Sequence, residues 1–351
     1  MKKTLIALAV LTVGQTQAQN TIDLNPVTIT AGRNPQKASE TGRNITVVDG
    51  KVFSQLPVSS LDELLKYVPG VEMQSRGPLG AQSDITIRGG TYQQVLVLID
   101  GVKLNDPITG HFSSYIPISP SEIERIEILR GPASALYGSE AVGGVINIIT
   151  KTFNKFNANN STKGNVEVAG GEYGFFRLNS GIQLTSKSVN ATIGYLNNTT
   201  EGQLLRGNNR GYNNNNTING SIAFALKNNW QLSVRSGYDS RDFAAQNFYT
   251  TFVSDTAVEK VTSFWNQLNL KQQKEKSSQQ FDVVYKKSTD FYLYNPKSIA
   301  NKNNSNYLFA QYIRSVKLNS NMAVSFGAVY DRRAIESNDR GNHETNHGAV
   351  F

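Results

Sequence analysis

Apolar and polar residues alternate along much of the chain beyond Lys151. Four segments show this alternation most clearly: Phe176 to Leu184, Ile218 to Leu226, Trp230 to Val234 and Met322 to Tyr330. A period of two indicates β-strands, and segments of about ten such residues with turns between them are typical of a transmembrane β-barrel. A soluble antiparallel sandwich has the same period, so alternation alone leaves both architectures open.

Two long polar stretches interrupt the predicted strands. Glu201 to Thr217 is rich in Asn and Gly, and Arg241 to Val258 carries several aromatic residues, whereas Lys227 to Asn229 is a tight turn. Short turns alternating with long loops are typical of the two sides of a barrel. We expect about ten strands between Lys151 and Phe351.

The N-terminus predicts export. Lys2 and Lys3 precede the short apolar run from Leu5 to Val13, and Ala18 offers a small residue for cleavage. This order is that of a secretory signal peptide, here residues 1–19, although an N-terminal helix of a cytoplasmic domain is the alternative. No later segment reaches about 18 consecutive apolar residues, so we expect a periplasmic, secreted or β-barrel product.

Composition excludes several functional classes. The chain has no cysteine, which removes disulfides, thiol catalysis, thiolate metal sites and lipoprotein anchoring. Its net charge is +8, but Lys and Arg form no compact cluster, so we expect no nucleic-acid partner.

Residues 40–150 have the pattern of a compact mixed α/β domain. We predict helices after the capping box Ser60 to Glu63 and after Ser119, a helical turn at Ala133 to Tyr137, and a hairpin around Asp100 and Gly101. Further strands are predicted at Ile85 to Arg88, Ile126 to Leu129 and Gly144 to Thr150.

One motif points to an enzyme. His343 to His347 fits H-E-x-x-H, which binds zinc when both histidines lie on one face of a helix. Gly341 and Gly348 bracket the motif, its Asn and Thr residues are poor helix formers, and the neighbouring pattern is that of a strand. We therefore expect a polar loop and no metal site or enzyme activity.

Several runs together resemble one family. Residues 39 to 151 are similar to the plug domain of TonB-dependent outer-membrane receptors, and the segment just after the signal peptide resembles a TonB box. The box residues are Pro26, Val27, Thr28, Ile29, Thr30 and Ala31. The plug motifs contain Arg88, Gly89, Asp100, Gly101, Arg130, Gly131, Pro132, Tyr137, Gly138, Gly143 and Gly144. Within the family, the chain looks most like vitamin B12 and ferric-siderophore receptors.

The resemblance implies an α+β plug domain followed by a transmembrane antiparallel β-barrel, which has 22 strands in the family. The expected divisions are a signal peptide (1–19), a periplasmic tail with the TonB box (20–38), the plug (39–151) and the N-terminal portion of the barrel (152–351). About ten strands do not close such a barrel, so we expect an incomplete sequence.

The resemblance also implies a mechanism, active transport of a scarce large ligand across the outer membrane. Outward loops bind a ferric siderophore or cobalamin, and TonB, energised by its inner-membrane complex, pulls on the plug. The implied partners are TonB, the ligand and outer-membrane lipid, with no cofactor. A surface receptor or sensor without efficient uptake is the alternative.

Two plug loops, Ser75 to Ser83 and Asn105 to Tyr115, are the candidate ligand face. Their candidate ligand-binding residues are Arg76, Gln82, Asn105, His111, Phe112 and Tyr115, with plain loop packing as the alternative. We expect Arg88 and Arg130 to form ion pairs with acidic groups on the plug or the barrel wall, with solvated arginines as the alternative. The vitamin B12 receptors hold calcium with aspartate-rich loops, whereas Asn213 to Asn216 stand in the corresponding stretch.

Overall fold

The computed structural model describes most of the chain. Its described residues are 27, 28, 30, 36–56, 58, 60–77, 81–104, 109–153, 156, 159–319 and 322–351. The predicted signal peptide and the candidate residues Pro26, Ile29, Ala31 and Asn105 lie outside them. Within this part of the chain, no helix is both long and apolar enough to cross a membrane.

Short elements build the N-terminal domain. The strands are β1 (Val27–Thr28), β2 (Gln36–Lys37), β3 (Asn44–Asp49), β4 (Val71–Ser75), β5 (Ser83–Ile87), β6 (Val95–Ile99), β7 (Val102–Lys103), β8 (Ile123–Arg130) and β9 (Gly144–Thr150). The helices are α1 (Val52–Gln55), α2 (Leu61–Leu65) and α3 (Ser134–Tyr137). A mixed sheet runs in the order β3-β8-β9-β6-β7, and two antiparallel pairs, β1-β2 and β4-β5, lie outside it.

The central strands of this sheet are buried on both faces. Val95, Val97 and Ile99 of β6 belong to a large core that includes α2, whereas Leu96 and Leu98 pack on the opposite face with Tyr137. A continuous apolar run is what a strand covered on both faces requires.

The predicted hairpin around Asp100 and Gly101 is confirmed. Ile99 pairs with Val102, and the two turn residues have φ angles of 49° and 84°. A two-residue turn with positive φ at both positions favours Asp-Gly, because these residues tolerate the left-handed region.

The remaining strands form one antiparallel meander, as the alternation predicted. They are β10 (Ser161–Gly170), β11 (Phe176–Thr185), β12 (Val189–Thr200), β13 (Asn213–Ala225), β14 (Trp230–Ala244), β15 (Val258–Gln273), β16 (Ser277–Leu293), β17 (Asn301–Lys317), β18 (Ala323–Ser337) and β19 (His343–Val350). Each strand pairs with the next in sequence, which gives a ten-stranded sheet. The two long connections, 201–212 and 245–257, both lie at the same end of the sheet.

The two faces of this sheet differ in polarity. Many apolar side chains are exposed on one face: Val166, Val168, Ile182, Ile193, Ile218, Val234, Phe264 and Leu268. The face towards the N-terminal domain buries polar side chains, including Asn179, Thr192, Asn219, Ser221, Ser233, Arg235 and Gln267. A soluble sandwich has the opposite arrangement, whereas a transmembrane barrel is apolar outside and polar inside.

Several local predictions were wrong. Ser60 begins α2, but its side chain forms no capping bond to a described residue. The predicted helix after Ser119 is a single 3-10 turn, Pro120–Glu122, because a buried strand starts at once. Asn213 to Thr217, expected in a loop, lie in β13. His343 to His347, expected in a polar loop, lie in β19.

Candidate functional site

A buried arginine of the sheet joins the two parts of the chain. Arg235 of β14 lies 2.9 Å from the Asp100 carboxylate and 2.9 Å from the Glu122 carboxylate. Its side chain is fully buried, and its guanidinium lies over the Phe153 ring at 4.3 Å. A buried charge is costly unless it is paired, so this arrangement fixes the position of the N-terminal domain against the sheet.

A row of small residues receives the segment Pro117 to Ser121. Gly181, Gly194, Asn219 and Gly237 are successive register partners across β11 to β14. A Cβ atom on Gly237 would lie 2.1 Å from the Pro117 carbonyl oxygen. The Ser119 amide donates to Asn219 Oδ1 at 2.7 Å. Because the glycines of this row have no side chain, the backbone of Pro117 to Ser121 can approach the backbone of strands β11 to β14 closely.

A polar cluster lies beside the long connection 245–257. Asp84 accepts a 2.7 Å hydrogen bond from His111 Nδ1, and Arg76 lies 3.5 Å from the other Asp84 oxygen. The His111 ring stacks on Tyr92 with centroids 4.2 Å apart. Arg76 also donates to the Phe248 carbonyl at 2.6 Å. Strand β5 and four further segments, around Arg76, Tyr92, His111 and Phe248, thus meet in this cluster.

Gln82 and Tyr249 complete this polar cluster, which we define as Arg76, Gln82, Asp84, Tyr92, His111 and Tyr249. The Tyr249 hydroxyl donates to Gln82 Oε1 at 2.8 Å, and burial raises the pKa of Tyr249. Gln82 is fully buried, yet its Nε2 has no partner among the described residues. Three of the candidate ligand residues, Arg76, Gln82 and His111, therefore lie in one place.

Phe112 and Tyr115 lie in a separate apolar cluster. Both are buried against Phe243 and Val261 of the large sheet and against Phe248 of the connection 245–257. Burial raises the pKa of Tyr115 well above its usual value, and Arg241 covers its ring at 3.8 Å. The two rings join the N-terminal domain to the sheet; their contact with a ligand stays a prediction.

A cavity of about 580 Å³ opens next to the polar cluster. Its wall is mainly apolar and includes Gly77, Tyr173, Phe175, Leu205 and Phe248. Phe248 connects the two features, because its ring lines the cavity and its carbonyl binds Arg76. The polar cluster and the apolar cavity therefore form neighbouring surfaces at the long-loop end.

A second site holds Thr28 and Thr30 of the predicted TonB box. The Thr28 hydroxyl, the Thr30 hydroxyl and the Thr30 amide donate to Glu127 Oε2 at 2.6, 2.6 and 2.9 Å. Glu127 is fully buried on β8, and Arg125 Nη2 lies 2.7 Å from its other oxygen. Tyr137 donates its hydroxyl to the Thr30 carbonyl, and Asn147 Nδ2 donates to the Thr30 hydroxyl.

Sequence reasoning missed Glu127. Its signal is a single acidic residue within the apolar strand Ile126 to Leu129. Glu127 is the register partner of Asn147, so both side chains project from the same face of the sheet. A buried carboxylate requires hydrogen-bond donors, and the box segment supplies three of them.

The residues of the plug motifs lie mainly in turns or where two backbone segments approach each other closely. Arg88, Gly89, Gly131 and Gly138 all have positive φ angles, which suits glycine at three of these positions. A Cβ on Gly143 would lie 2.8 Å from the Ile87 carbonyl oxygen, and one on Gly144 would lie 2.6 Å from that of Leu129. The Pro132 carbonyl accepts a 2.6 Å bond from Arg43.

The ion-pair prediction for Arg130 was wrong within the described residues. Its guanidinium donates instead to Asn44 Oδ1, Thr46 Oγ1 and the Pro69 carbonyl, all neutral acceptors. Burial, with the positive charge of Arg88 in addition, lowers the pKa of Arg130. The described residues also give Arg88 no ion pair.

Comparison with known proteins agrees with this architecture. The family model described as TonB-dependent Receptor Plug Domain matches residues 37–145. A vitamin B12 transporter BtuB of Vibrio vulnificus strain CMCP6 is 38% identical over 154 residues, which are 43% of this chain and 25% of the relative. The same-named protein of strain YJ016 is 31% identical over 261 residues, 71% of this chain and 41% of the relative.

Solved structures share the fold. The siderophore receptor PiuA from Acinetobacter baumannii has a TM-score of 0.65 and 18% identity, with 86% of this chain and 47% of that one covered. The ferripyoverdine receptor of the outer membrane of Pseudomonas aeruginosa has a TM-score of 0.68 and 16% identity, with 89% and 45% covered.

The chain thus spans less than half the length of these relatives. None of the four is named as an enzyme; all are transporters or receptors. With a plug domain followed by ten strands of a barrel sheet, the chain belongs to the TonB-dependent receptor family.

Proposed function

We propose that the protein is a TonB-dependent transporter which carries a ferric siderophore or a cobalamin across the outer membrane. The names of the relatives support this substrate class, since they are vitamin B12 transporters and siderophore receptors. The proposed location is the outer membrane, reached through the signal peptide at residues 1–19. The apolar outer face of the sheet suits lipid contact.

The observation that carries the proposal is the attachment of Thr28 and Thr30 to Glu127. Three hydrogen bonds converge on one carboxylate oxygen, and such bonds break and re-form without covalent chemistry. The segment is short and β-branched, and Val27 and Thr28 already pair as a strand with residues 36–37. A segment of this kind can leave the plug and add to the sheet edge of TonB.

The plug can then transmit force from one site to the other. Glu127 lies on β8, in the same sheet as β6, while the polar cluster lies on β5 and the adjoining loops. Pulling on residues 26–31 therefore loads the domain that carries the ligand-facing residues. Two features oppose this pulling force by holding the plug to the sheet. They are Arg235 and the row of small residues formed by Gly181, Gly194, Asn219 and Gly237.

Uptake by receptor-deficient cells that express the intact gene tests the proposal. Labelled cobalamin and a panel of ferric siderophores are supplied separately, with and without a functional TonB. We expect one ligand to accumulate, and only when TonB is present. TonB-independent accumulation would contradict the proposal, and ligand binding with no uptake would favour the alternative of a surface receptor.

A further inference from the structure

The cavity at the long-loop end of the sheet is built mainly from four segments of the chain. They are the plug segment at Gly77, the turn 171–175 between β10 and β11, the connection 201–212 and the start of the connection 245–257. Its volume is about 580 Å³. An apolar cavity of about 150 Å³ is large enough to bind benzene. The space can therefore receive a ring-bearing side group of a large ligand.

The lining of this cavity disfavours a charged group. Its main apolar side chains are those of Tyr173, Phe175, Leu205 and Phe248. Among the described residues of the lining, Glu172 is the only charged one. A carboxylate placed there would lose its water without gaining a cation, whereas an aromatic ring packs favourably on tyrosine and phenylalanine rings. The lining therefore selects for an uncharged aromatic group.

Hydrogen bonds hold the walls of the cavity in place. The Thr200 hydroxyl donates to the Tyr173 carbonyl at 3.0 Å, which fixes the turn between β10 and β11. Arg206 of the first long connection reaches across to the second, where it donates to the Phe252 carbonyl at 2.6 Å. Gln246 Nε2 donates back to the Arg206 carbonyl at 3.1 Å. A site with fixed walls loses little conformational freedom when a ligand binds.

One wall of the cavity belongs to the plug. A Cβ atom on Gly77 would lie 2.6 Å from a ring carbon of Phe248, so the plug backbone lies directly against a side chain that lines the cavity. The Phe248 carbonyl accepts a 2.6 Å hydrogen bond from Arg76, the next plug residue. A group held in the cavity therefore touches the plug and the loops of the sheet at once.

We propose that this cavity binds an uncharged aromatic ring carried by the transported chelate, with Phe175 and Phe248 packing on that ring. This inference rests on the proposed transport function and narrows its substrate class. Two sources share the chemistry, the benzimidazole of a cobalamin and the hydroxyphenyl ring of a ferric siderophore. A chelate that carries no such ring makes no contact in the cavity.

Calorimetric titration of the purified full-length receptor tests the inference. One pair of probes is cobalamin and cobinamide, which lacks the benzimidazole. The other pair is a ferric siderophore with a hydroxyphenyl ring and a ferric trihydroxamate, which has none. We expect one ring-bearing probe to bind, and Phe175→Ala to weaken its binding about threefold to tenfold, the effect of a lost aromatic contact. Phe176→Ala, at an exposed position outside the lining, is the matched control.

Gly211→Val is a second variant, which fills the cavity instead of opening it. A Cβ atom on Gly211 would lie 3.5 Å from the Leu205 side chain, an ordinary contact, and both residues line the cavity. The added side chain should therefore fit without a backbone shift. We expect Gly211→Val to weaken binding of the same ring-bearing probe, with a melting temperature close to that of the wild type.

Several outcomes overturn the inference. Unchanged binding of the ring-bearing probe by both variants excludes the cavity as its site, and so does an equal loss in Phe175→Ala and Phe176→Ala. Equal affinity for a ring-bearing probe and its ring-less counterpart contradicts recognition of the ring. TonB-dependent uptake of a ring-less probe alone contradicts the substrate class but leaves the transport function intact. If none of the four probes binds, the proposed function fails together with the inference.

Discussion

At the residue scale, buried carboxylates organise both ends of the plug. Glu127 holds the box segment, Asp84 orients His111, and Asp100 with Glu122 surrounds Arg235. Each carboxylate faces at least one donor or cation from a distant part of the sequence, as a buried charge requires. A single sequence gives no such distances, so these pairs were beyond prediction. The assignment of residues 26–31 as the box rests on a local sequence pattern and stays a prediction.

Thr30→Val tests the attachment of the box. The change removes the hydroxyl that donates to Glu127 at 2.6 Å and leaves the backbone bond in place. A hydrogen bond to a charged group contributes about 1.5–3 kcal/mol. Its loss should raise the fraction of molecules with a detached segment by roughly tenfold or more. A cysteine at Val27 should react correspondingly faster with a polar thiol reagent.

Thr41→Val provides the control, because the hydrogen bonds of the Thr41 hydroxyl go only to backbone groups of the nearby residues Ala38 and Arg43. Equal labelling rates in the two variants would show that the Glu127 contact does not hold the box.

Arg235→Met tests the connection between plug and sheet. The variant leaves Asp100 and Glu122 as buried carboxylates without their shared cation. Removing one partner of a buried ion pair costs about 3–5 kcal/mol. We expect a lower melting temperature and faster proteolysis of the plug. Arg332→Met breaks an exposed pair with Glu344 and should leave stability almost unchanged, because water screens an exposed ion pair. Similar losses in both variants would contradict the assigned role.

Tyr115→Phe tests the burial of the apolar cluster. The hydroxyl has no hydrogen-bond partner among the described residues, and burial raises the pKa of this phenol. The folded state therefore favours the neutral form, and its stability falls as pH rises above about 10, the usual pKa of tyrosine. The variant should match the wild type in melting temperature at pH 7 and lose less stability at alkaline pH. Identical alkaline profiles would place Tyr115 in contact with solvent.

At the element scale, the local sequence pattern predicts the strands, but it does not predict how the plug packs against them. A period of two predicted the meander, because one face of the sheet is apolar and the other is polar. Asn213 to Asn216 were assigned to a loop, since asparagine is rare in strands. In the structure, Asn213 and Asn215 are buried on the inner face, and Asn216 accepts bonds from Tyr195 and Asn197. A polar interior therefore overrides the ordinary strand preference.

Gly237→Ala tests whether the plug segment Pro117 to Ser121 docks on the row of small residues that contains Gly237. The added methyl group would meet the Pro117 carbonyl, so the plug segment must shift, at a cost of about 1–3 kcal/mol. Gly220→Ala on the neighbouring strand is the matched control, because its nearest atom lies 3.8 Å away. We expect the plug to become protease-sensitive only in Gly237→Ala. Equal sensitivity in both variants would show that strand propensity, not docking, sets the requirement for glycine.

At the scale of the whole molecule, one small domain carries residues of both candidate sites. The sequence motifs predicted the plug, because glycine turns and buried runs leave local signatures. The pattern also predicted ten strands, which the sheet contains. The identity of the ligand depends on surfaces from several separate loops, so it was not predictable. The polar cluster with its adjoining cavity now gives specific residues to test.

The most direct test of TonB coupling compares binding and uptake in the same cells. Ile29→Pro removes a backbone donor from the box and prevents its pairing as a strand, whereas Ile29→Val keeps both donor and β-branching. We predict that both variants bind ligand as the wild type does, and that only Ile29→Pro loses uptake. Undiminished uptake by Ile29→Pro would contradict TonB-coupled transport through this segment.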